Sequence, residues 1–170
     1  DYEKFDVTLY LRKNRTDLLP FVDERVNVII NDDNHHYYRK PYAVFLQILI
    51  AIFNISGKKE KAEKFNQKLS DYIIKSQMKY EKNKFFSSEK YDIAIAYVHG
   101  YPALFVAECV KADKKFVFYH TSTDELHSVH EKIISKFDRI VAIHNEQKEI
   151  IKQWYLEIAD RITIVENYCD

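Results

Sequence analysis

The chain has 170 residues, of which 46% are hydrophobic and 31% are charged, and its formal net charge is zero. This composition is typical of one globular domain and excludes disordered, collagenous and disulfide-stapled chains. The two glycines, Gly57 and Gly100, form no phosphate-binding loop, and the two cysteines, Cys109 and Cys169, form no zinc motif and suit a reducing compartment.

Charge is unevenly distributed along the chain. Residues 1–38 carry 5 basic and 8 acidic side chains, residues 39–90 carry 12 and 5, and residues 91–170 carry 9 and 13. The middle third is therefore strongly basic, which suits either an anionic partner or a solvated helix face. Three of residues 1–5 are charged, namely Asp1, Glu3 and Lys4, and this segment lacks the apolar stretch of a signal peptide, so we expect a cytoplasmic location.

Short runs of β-branched and aromatic residues predict six strands, and apolar residues three or four apart predict helices between the later ones. The predicted strands are 7–11, 26–30, 91–98, 115–119, 139–143 and 161–165, and the predicted helices between them are 103–112, 123–137 and 146–158. Strands that alternate with helices favour parallel pairing through crossovers. The sequence therefore predicts an α/β fold with a Rossmann-like, doubly wound parallel sheet.

Residues 39–90 interrupt this alternation. Residues 43–53 are almost all apolar but span about half the length that crosses a bilayer, and residues 58–84 are rich in lysine. The pattern predicts an inserted helical hairpin hinged at Ser56 and Gly57. It either contacts an anionic membrane surface or packs on the sheet with a solvated lysine face; nucleic acid is disfavoured, because the lysines accompany an apolar helix. The expected membrane contacts are Arg39, Lys40, Lys58, Lys59, Lys61 and Lys64.

Candidate ligand-binding residues follow the predicted strands, because ligands of open α/β sheets sit beyond the carboxyl ends of the strands. The imidazole of His120 can donate a hydrogen bond to a hydroxyl or carry a proton near neutral pH, or it can simply bond to a backbone carbonyl. Gly100 can adopt a positive φ and allow close approach of a ligand. Pro102 suits the first turn of a helix, whose free N–H groups bind oxygen atoms.

Two histidine pairs have spacings that could suggest a metal site. His127 and His130 are three apart on a predicted helix, a spacing that can chelate a metal, but no third ligand accompanies them. His35 and His36 stand beside two aspartates, yet the aromatic and basic residues that follow favour an exposed loop. We therefore expect no metal.

A family resemblance rests on residues 91–170. A strand that begins with Tyr-Asp at 91–92 is followed by His99, Gly100, Tyr101 and Pro102, and a Lys-Ala-x-Lys-Lys tract at 111–115 leads into a strand that ends at His120. The run Phe-Asp-Arg-Ile-Val-Ala-Ile at 137–143 precedes His144, where the family usually has serine, and the run at 164–170 closes the stretch. In order and spacing these motifs resemble the second half of the N-terminal, acceptor-side domain of GT-B glycosyltransferases of family 4.

The resemblance implies that residues 1–170 are a single GT-B N-terminal domain that lacks the family's first strand and its C-terminal donor domain. The full-length protein would be a retaining glycosyltransferase of the hexosyltransferase type. It would transfer a sugar from a nucleotide-sugar donor to a saccharide or lipid-linked acceptor in cell-surface polysaccharide synthesis, at the cytoplasmic membrane face. The donor would bind mainly to the absent domain, so we expect no cofactor here and no activity of this chain alone.

The resemblance also assigns residues. His120 would lie near the transferred sugar as the catalytic residue of this domain. The acceptor cleft would be lined by His99, Gly100, Tyr101, Pro102, Thr121 and His144.

Two other functions compete with this interpretation. A non-catalytic α/β binding module, docked at a membrane or a protein partner, would have no need of the motifs that follow the strands. A complete nucleotide-binding Rossmann domain is disfavoured by the shortage of glycine.

Overall fold

The structure is a computed structural model, and it describes residues 4–12, 16–31, 36–120 and 131–166. The chain divides into two compact units, Asp1–Phe85 and Phe86–Asp170. Parallel strands and helices make up the fold, so the predicted α/β class is confirmed. The expectation of a single domain over residues 1–170 stays a prediction, because two compact units can belong to one domain or to two.

The first unit opens with two short parallel strands. β1 (Thr8–Arg12) pairs with β2 (Asn27–Asn31) so that Thr8 lies opposite Asn27 and Arg12 opposite Asn31. Both strands are rich in apolar residues that suit a half-buried pleated surface. Parallel pairing brings the carboxyl ends of the two strands to the same edge.

Two helices follow these strands in the chain, α1 (Pro41–Ile55) and α2 (Lys59–Phe85). The chain reverses at Gly57, whose φ of 71° is a left-handed value that glycine adopts without strain. The N–H of Lys58 donates to the carbonyl of Phe53 over 2.9 Å, a bond typical of a helix end closed by glycine. Within the described part of the chain, no helix combines the length and the apolar character that a membrane crossing requires.

Aromatic contacts near both ends of α1 hold it against α2. The ring of Tyr42 meets the ring of Tyr72 edge-on at 5.0 Å, and the ring of Phe53 stacks on that of Phe65 at 5.4 Å. Because the start of α1 contacts the middle of α2 and its end contacts the first part of α2, the two helices are antiparallel.

A polar cluster joins α2 to the two strands. Glu81 of α2 is fully buried, and its carboxylate lies 3.4 Å from the guanidinium of Arg12, which is 32% exposed. Asn31 donates a hydrogen bond of 3.1 Å to the hydroxyl of Tyr10. Burial, and then the charge of Glu81, raise the pKa of the Tyr10 phenol. Charge as well as packing therefore fixes α2 to the carboxyl ends of β1 and β2.

The second unit is a four-stranded parallel sheet with the strand order β3-β4-β5-β6, which is also the order of the strands in the chain. Its elements are β3 (Tyr91–Ala96), α3 (Tyr101–Cys109), β4 (Ala112–Tyr119), α4 (Glu131–Ile134), β5 (Arg139–Ala142), α5 (Asn145–Trp154) and β6 (Ile162–Ile164). The helices supply the crossovers that parallel neighbours need. Of the helix predicted over 123–137, residues 123–130 lie outside the described residues.

One side of this sheet, which we call the helix side, is buried. Strand register places one row of small and β-branched residues next to one another there: Ala96, Val117, Ile140 and Ile162, all buried. Lys115 alternates in phase with Val117, and its ammonium donates to the carbonyl of Ala107 in α3 over 2.9 Å. The crossover helix α3 therefore packs on this side.

The opposite side, which we call the open side, presents apolar residues to solvent. Ile93, Ile95 and Tyr97 alternate along β3 and are exposed, whereas Phe116 and Phe118 of β4 are half-buried. A doubly wound sheet carries helices on both sides. The second helical layer, and with it the doubly wound arrangement, stays a prediction.

Candidate functional site at the carboxyl edge of the four-stranded sheet

Three histidines follow the carboxyl ends of three adjacent strands. β3, β4 and β5 end within three residues of His99, His120 and His144, respectively. Because the strands are parallel and neighbours, their carboxyl ends form one edge of the sheet, as the sequence predicts. The three side chains nevertheless have different surroundings, and these decide what each can do.

The ring of His120 lies among aromatic side chains of the open side. Its centroid is 4.9 Å from that of Tyr97 and 6.0 Å from that of Phe118, to which it is nearly parallel. The Nε2 atom is buried and has no hydrogen-bond partner within the described ranges of the chain. Burying a polar nitrogen without a partner is costly. Such an atom is a candidate for hydrogen bonding to a ligand.

Tyr97 is a candidate site residue that sequence reasoning missed. Its phenol ring is 63% exposed and lies 5.3 Å from the ring of Phe118. The signal was present in the strand pattern, since Tyr97 alternates in phase with Ile93 and Ile95 and so faces the same side. An exposed ring beside a histidine at a strand end offers a flat apolar surface next to a hydrogen-bonding group.

His99 faces the helix side instead. Its ring lies 6.0 Å from that of Tyr119 and is nearly parallel to it. Tyr119 is fully buried, and this burial, followed by the nearby Tyr155, raises the pKa of its phenol. Since Tyr119 and Phe118 point to opposite sides of β4, His99 and His120 lie against opposite sides of the sheet edge. They are neighbours along the edge without forming one cluster.

Gly100 starts α3 in a conformation that favours glycine. Its φ is 82°, and a Cβ built there would meet no atom of the described residues within 4 Å. Pro102 follows in the first turn and is exposed, while Tyr101 stacks on Phe105 at 6.1 Å. The N–H groups of this turn are the donors that a helix start offers to an oxygen ligand.

His144 is committed to helix capping. It is the N-cap of α5, and its Nδ1 accepts a hydrogen bond of 3.1 Å from the N–H of Gln147. The buried side chain of Gln147 in turn accepts a hydrogen bond of 2.8 Å from the N–H of Ile143. The arrangement is close to a capping box. The other ring nitrogen of His144, which is an exposed residue, then carries the proton of the neutral imidazole.

The basic residues predicted to contact a membrane belong to the first unit. They flank α1 or lie in the first turns of α2, and all are exposed: Arg39, Lys40, Lys58, Lys59, Lys61 and Lys64.

Some predicted site residues lie outside the described residues, namely Thr121, His127, His130 and His35. Elsewhere in the part of the chain that the structure describes, no group of three His, Cys, Asp or Glu side chains could hold a metal ion. Comparisons of the chain with known protein families, with curated proteins and with solved structures found no match.

Proposed function

We propose that this chain is the acceptor-binding domain of a retaining glycosyltransferase, with the acceptor at the carboxyl edge of the four-stranded sheet. The observation that carries the proposal is the surroundings of His120. A buried ring nitrogen with no partner among the described residues stands beside the exposed ring of Tyr97. The family resemblance of residues 91–170 supplies the reaction class, which is transfer from a nucleotide sugar to a saccharide or lipid-linked acceptor.

The two side chains match the two chemical surfaces of a sugar ring. A pyranose has a face of C–H groups, which packs on an aromatic ring such as Tyr97, and a rim of hydroxyls. An imidazole both donates and accepts hydrogen bonds, so His120 pairs with a hydroxyl in either direction. The combination of an apolar platform with a few placed polar groups is typical of small-molecule sites.

His120 acts by positioning and electrostatics in this proposal. Positive charge develops at the anomeric carbon as the nucleotide leaves, and a hydrogen bond from a fixed neighbour holds the reacting sugar in place. Little proton transfer is needed from this domain. Gly100 and the N–H groups at the start of α3 would border the same edge, and these N–H groups would donate hydrogen bonds to an oxygen of the acceptor.

The test is the kinetics of the full-length protein with a panel of nucleotide sugars, measured as released nucleotide. His120→Ala should lower kcat/KM on the order of 100-fold or more, because an interaction made in the transition state is lost. Tyr97→Ala should weaken acceptor binding, whereas Tyr97→Phe keeps the ring and should bind as the wild type does.

The matched control is His36→Ala, which removes an exposed histidine of the first unit and should leave the kinetics unchanged. Wild-type kinetics in His120→Ala would contradict the role given to this residue. If the full-length protein turns over none of the nucleotide sugars, the non-catalytic binding module becomes the better description.

A further inference from the structure

The helix α1 exposes a continuous apolar surface. It has no charged residue over its 15 positions, and only Ala43 and Leu46 are buried. The opposite face carries four apolar side chains that are between 52% and 89% exposed, Phe45, Ile48, Ile52 and Ile55, which we call the α1 stripe. Their spacing of three and four residues places them on one face of the helix. An exposed apolar surface of this kind indicates an interaction site.

Basic side chains surround the α1 stripe. Arg39 and Lys40 precede the first turn of α1, and Lys58 and Lys59 follow its last turn, all of them exposed. The helix α2, which packs against α1, carries eight lysines and four acidic residues. The ammonium of Lys61 lies 5.8 Å from the ring centroid of Phe53, so this positive charge reaches α1 itself.

We propose that the α1 stripe lies in the interface of an anionic lipid bilayer, with the surrounding lysines and arginine at the headgroup phosphates. A 15-residue helix is about 22 Å long, whereas a bilayer core is about 30 Å thick, so α1 lies in the membrane plane. A lipid surface offers apolar chains and negative charge side by side, and long basic side chains reach from one to the other.

A second copy of the chain fits this surface less well. Two copies packed stripe to stripe would bring together the basic residues at the ends of their stripes, Arg39, Lys40, Lys58 and Lys59, in a parallel or an antiparallel pairing, and like charges oppose that contact. The charge around the α1 stripe therefore favours an anionic occupant. The proposal goes beyond the proposed transferase function and does not depend on it.

The experiment is sedimentation of the chain with vesicles of phosphatidylcholine mixed with phosphatidylglycerol, compared with pure phosphatidylcholine vesicles. We expect binding to the anionic vesicles, little binding to the neutral ones, and release by salt. Ile48→Gln and Ile52→Gln should each lower the partition coefficient on the order of tenfold or more, because each removes apolar area from the interface. Leu156→Gln, at an exposed aliphatic residue of the second unit, should not change it.

A second set of variants tests whether the positive charge of the lysines is needed for vesicle binding. Replacing Lys58, Lys59, Lys61 and Lys64 with glutamine should have the effect of salt, whereas replacing the same four residues with arginine should retain binding. If Ile48→Gln unfolds the chain, Phe45→Trp gives a second measurement, since its fluorescence should shift to the blue on anionic vesicles relative to the wild type with its one Trp154.

Three results would overturn the proposal. One is the absence of vesicle binding. Another is binding that is indifferent to lipid charge. The third is concentration-dependent self-association that Ile48→Gln abolishes in analytical ultracentrifugation without any vesicle binding, which would make the α1 stripe an interface between two copies of the chain.

Discussion

The side chain of His144 holds the start of α5, although its position after β5 resembles that of His120 after β4. Its Nδ1 accepts from the Gln147 N–H, which is one of the four N–H groups that a helix start leaves without a carbonyl partner. A histidine can serve here because its unprotonated ring nitrogen is an acceptor, like the oxygen of the usual capping residues.

Removing this cap should weaken the fold modestly. We expect His144→Ala to lower the free energy of unfolding by about 1 kcal/mol, because the Gln147 N–H loses its partner. His144→Ser and His144→Asn retain an acceptor at the N-cap and should recover most of the loss. Urea unfolding of the three variants measures this, and an equal loss in all three would contradict a capping role.

Asp138 joins the start of β5 to β4. Its carboxylate accepts a hydrogen bond of 2.9 Å from the Lys115 N–H and one of 3.1 Å from the Lys114 ammonium. The backbone bond to Lys115 first, and then Lys114, lower the pKa of the Asp138 carboxyl. The folded protein therefore binds this proton more weakly than the unfolded chain does.

A lowered pKa predicts the sign of a pH effect. The stabilisation by Asp138 is fully present above the unfolded pKa of about 3.9 and is lost as pH falls through the folded pKa. Asp138→Asn should therefore flatten the acid side of a stability–pH profile, by less than about 1 kcal/mol because the group is near solvent. Urea midpoints at several pH values test this. Asp160→Asn, at an exposed carboxylate, is the control, and an identical flattening in it would contradict the assignment.

Sequence reasoning located the candidate histidines after the strands, but it missed Tyr97 and did not predict which side of the sheet each histidine faces. The histidines after β3, β4 and β5 could be found because each follows an apolar run. Which of them reaches a ligand depends on the side of the sheet that the chain turns toward on leaving the strand. His99 contacts Tyr119, whereas His120 contacts Phe118, the adjacent residue of β4, which points to the other side of the sheet. No sequence pattern within the turns specifies which side a histidine faces.

At the scale of elements, the ion pair between Glu81 and Arg12 ties α2 to β1 asymmetrically. Glu81 is fully buried, whereas Arg12 is 32% exposed and can reach water if its partner is removed. Removing Arg12 and removing Glu81 should therefore lower the free energy of unfolding by different amounts. A buried charge that loses its partner is the more expensive state.

We expect Arg12→Ala to lower the free energy of unfolding by about 3 kcal/mol, because it removes the cationic partner of the buried Glu81 carboxylate. Glu81→Gln should cost clearly less, because the arginine gains water. The double variant should be more stable than Arg12→Ala alone. Chemical unfolding of the three variants measures the coupling. Equal losses in both single variants, added together in the double one, would contradict the asymmetry.

Most helices and strands could be predicted from apolar periodicity. The residues at which they begin and end could not, because these depend on pairing and packing contacts that the periodicity does not include. β4 begins at Ala112 rather than at the predicted residue 115, because Ala112 pairs with Tyr91 in spite of the charged residues that follow it. The apolar residues of α1 could be recognised as a helix, but their exposure could not. When every side of a helix is apolar, the periodicity does not indicate which side chains are exposed.

At the scale of the whole molecule, the α/β class followed from the alternation of strands and helices, whereas the division into sheets of two and four strands did not. Strands that are apolar on both faces predict cover on both faces. Ile93 and Ile95 are apolar residues of the open side, yet both are exposed, so an apolar strand face is not always covered by another element. The sequence pattern indicates whether a strand face is suited to burial, but tertiary packing determines whether another element covers that face.

The strand order of the second unit also has a consequence for how this unit folds during synthesis. Because β3, β4, β5 and β6 pair in the order in which they are synthesised, every new strand finds its partner already present. Short sequence separation lowers the entropy of closing each loop and favours rapid folding. The growing chain on a ribosome can therefore add strands one by one, with β3 and β4 forming the first pair and the three-residue β6 completing the row.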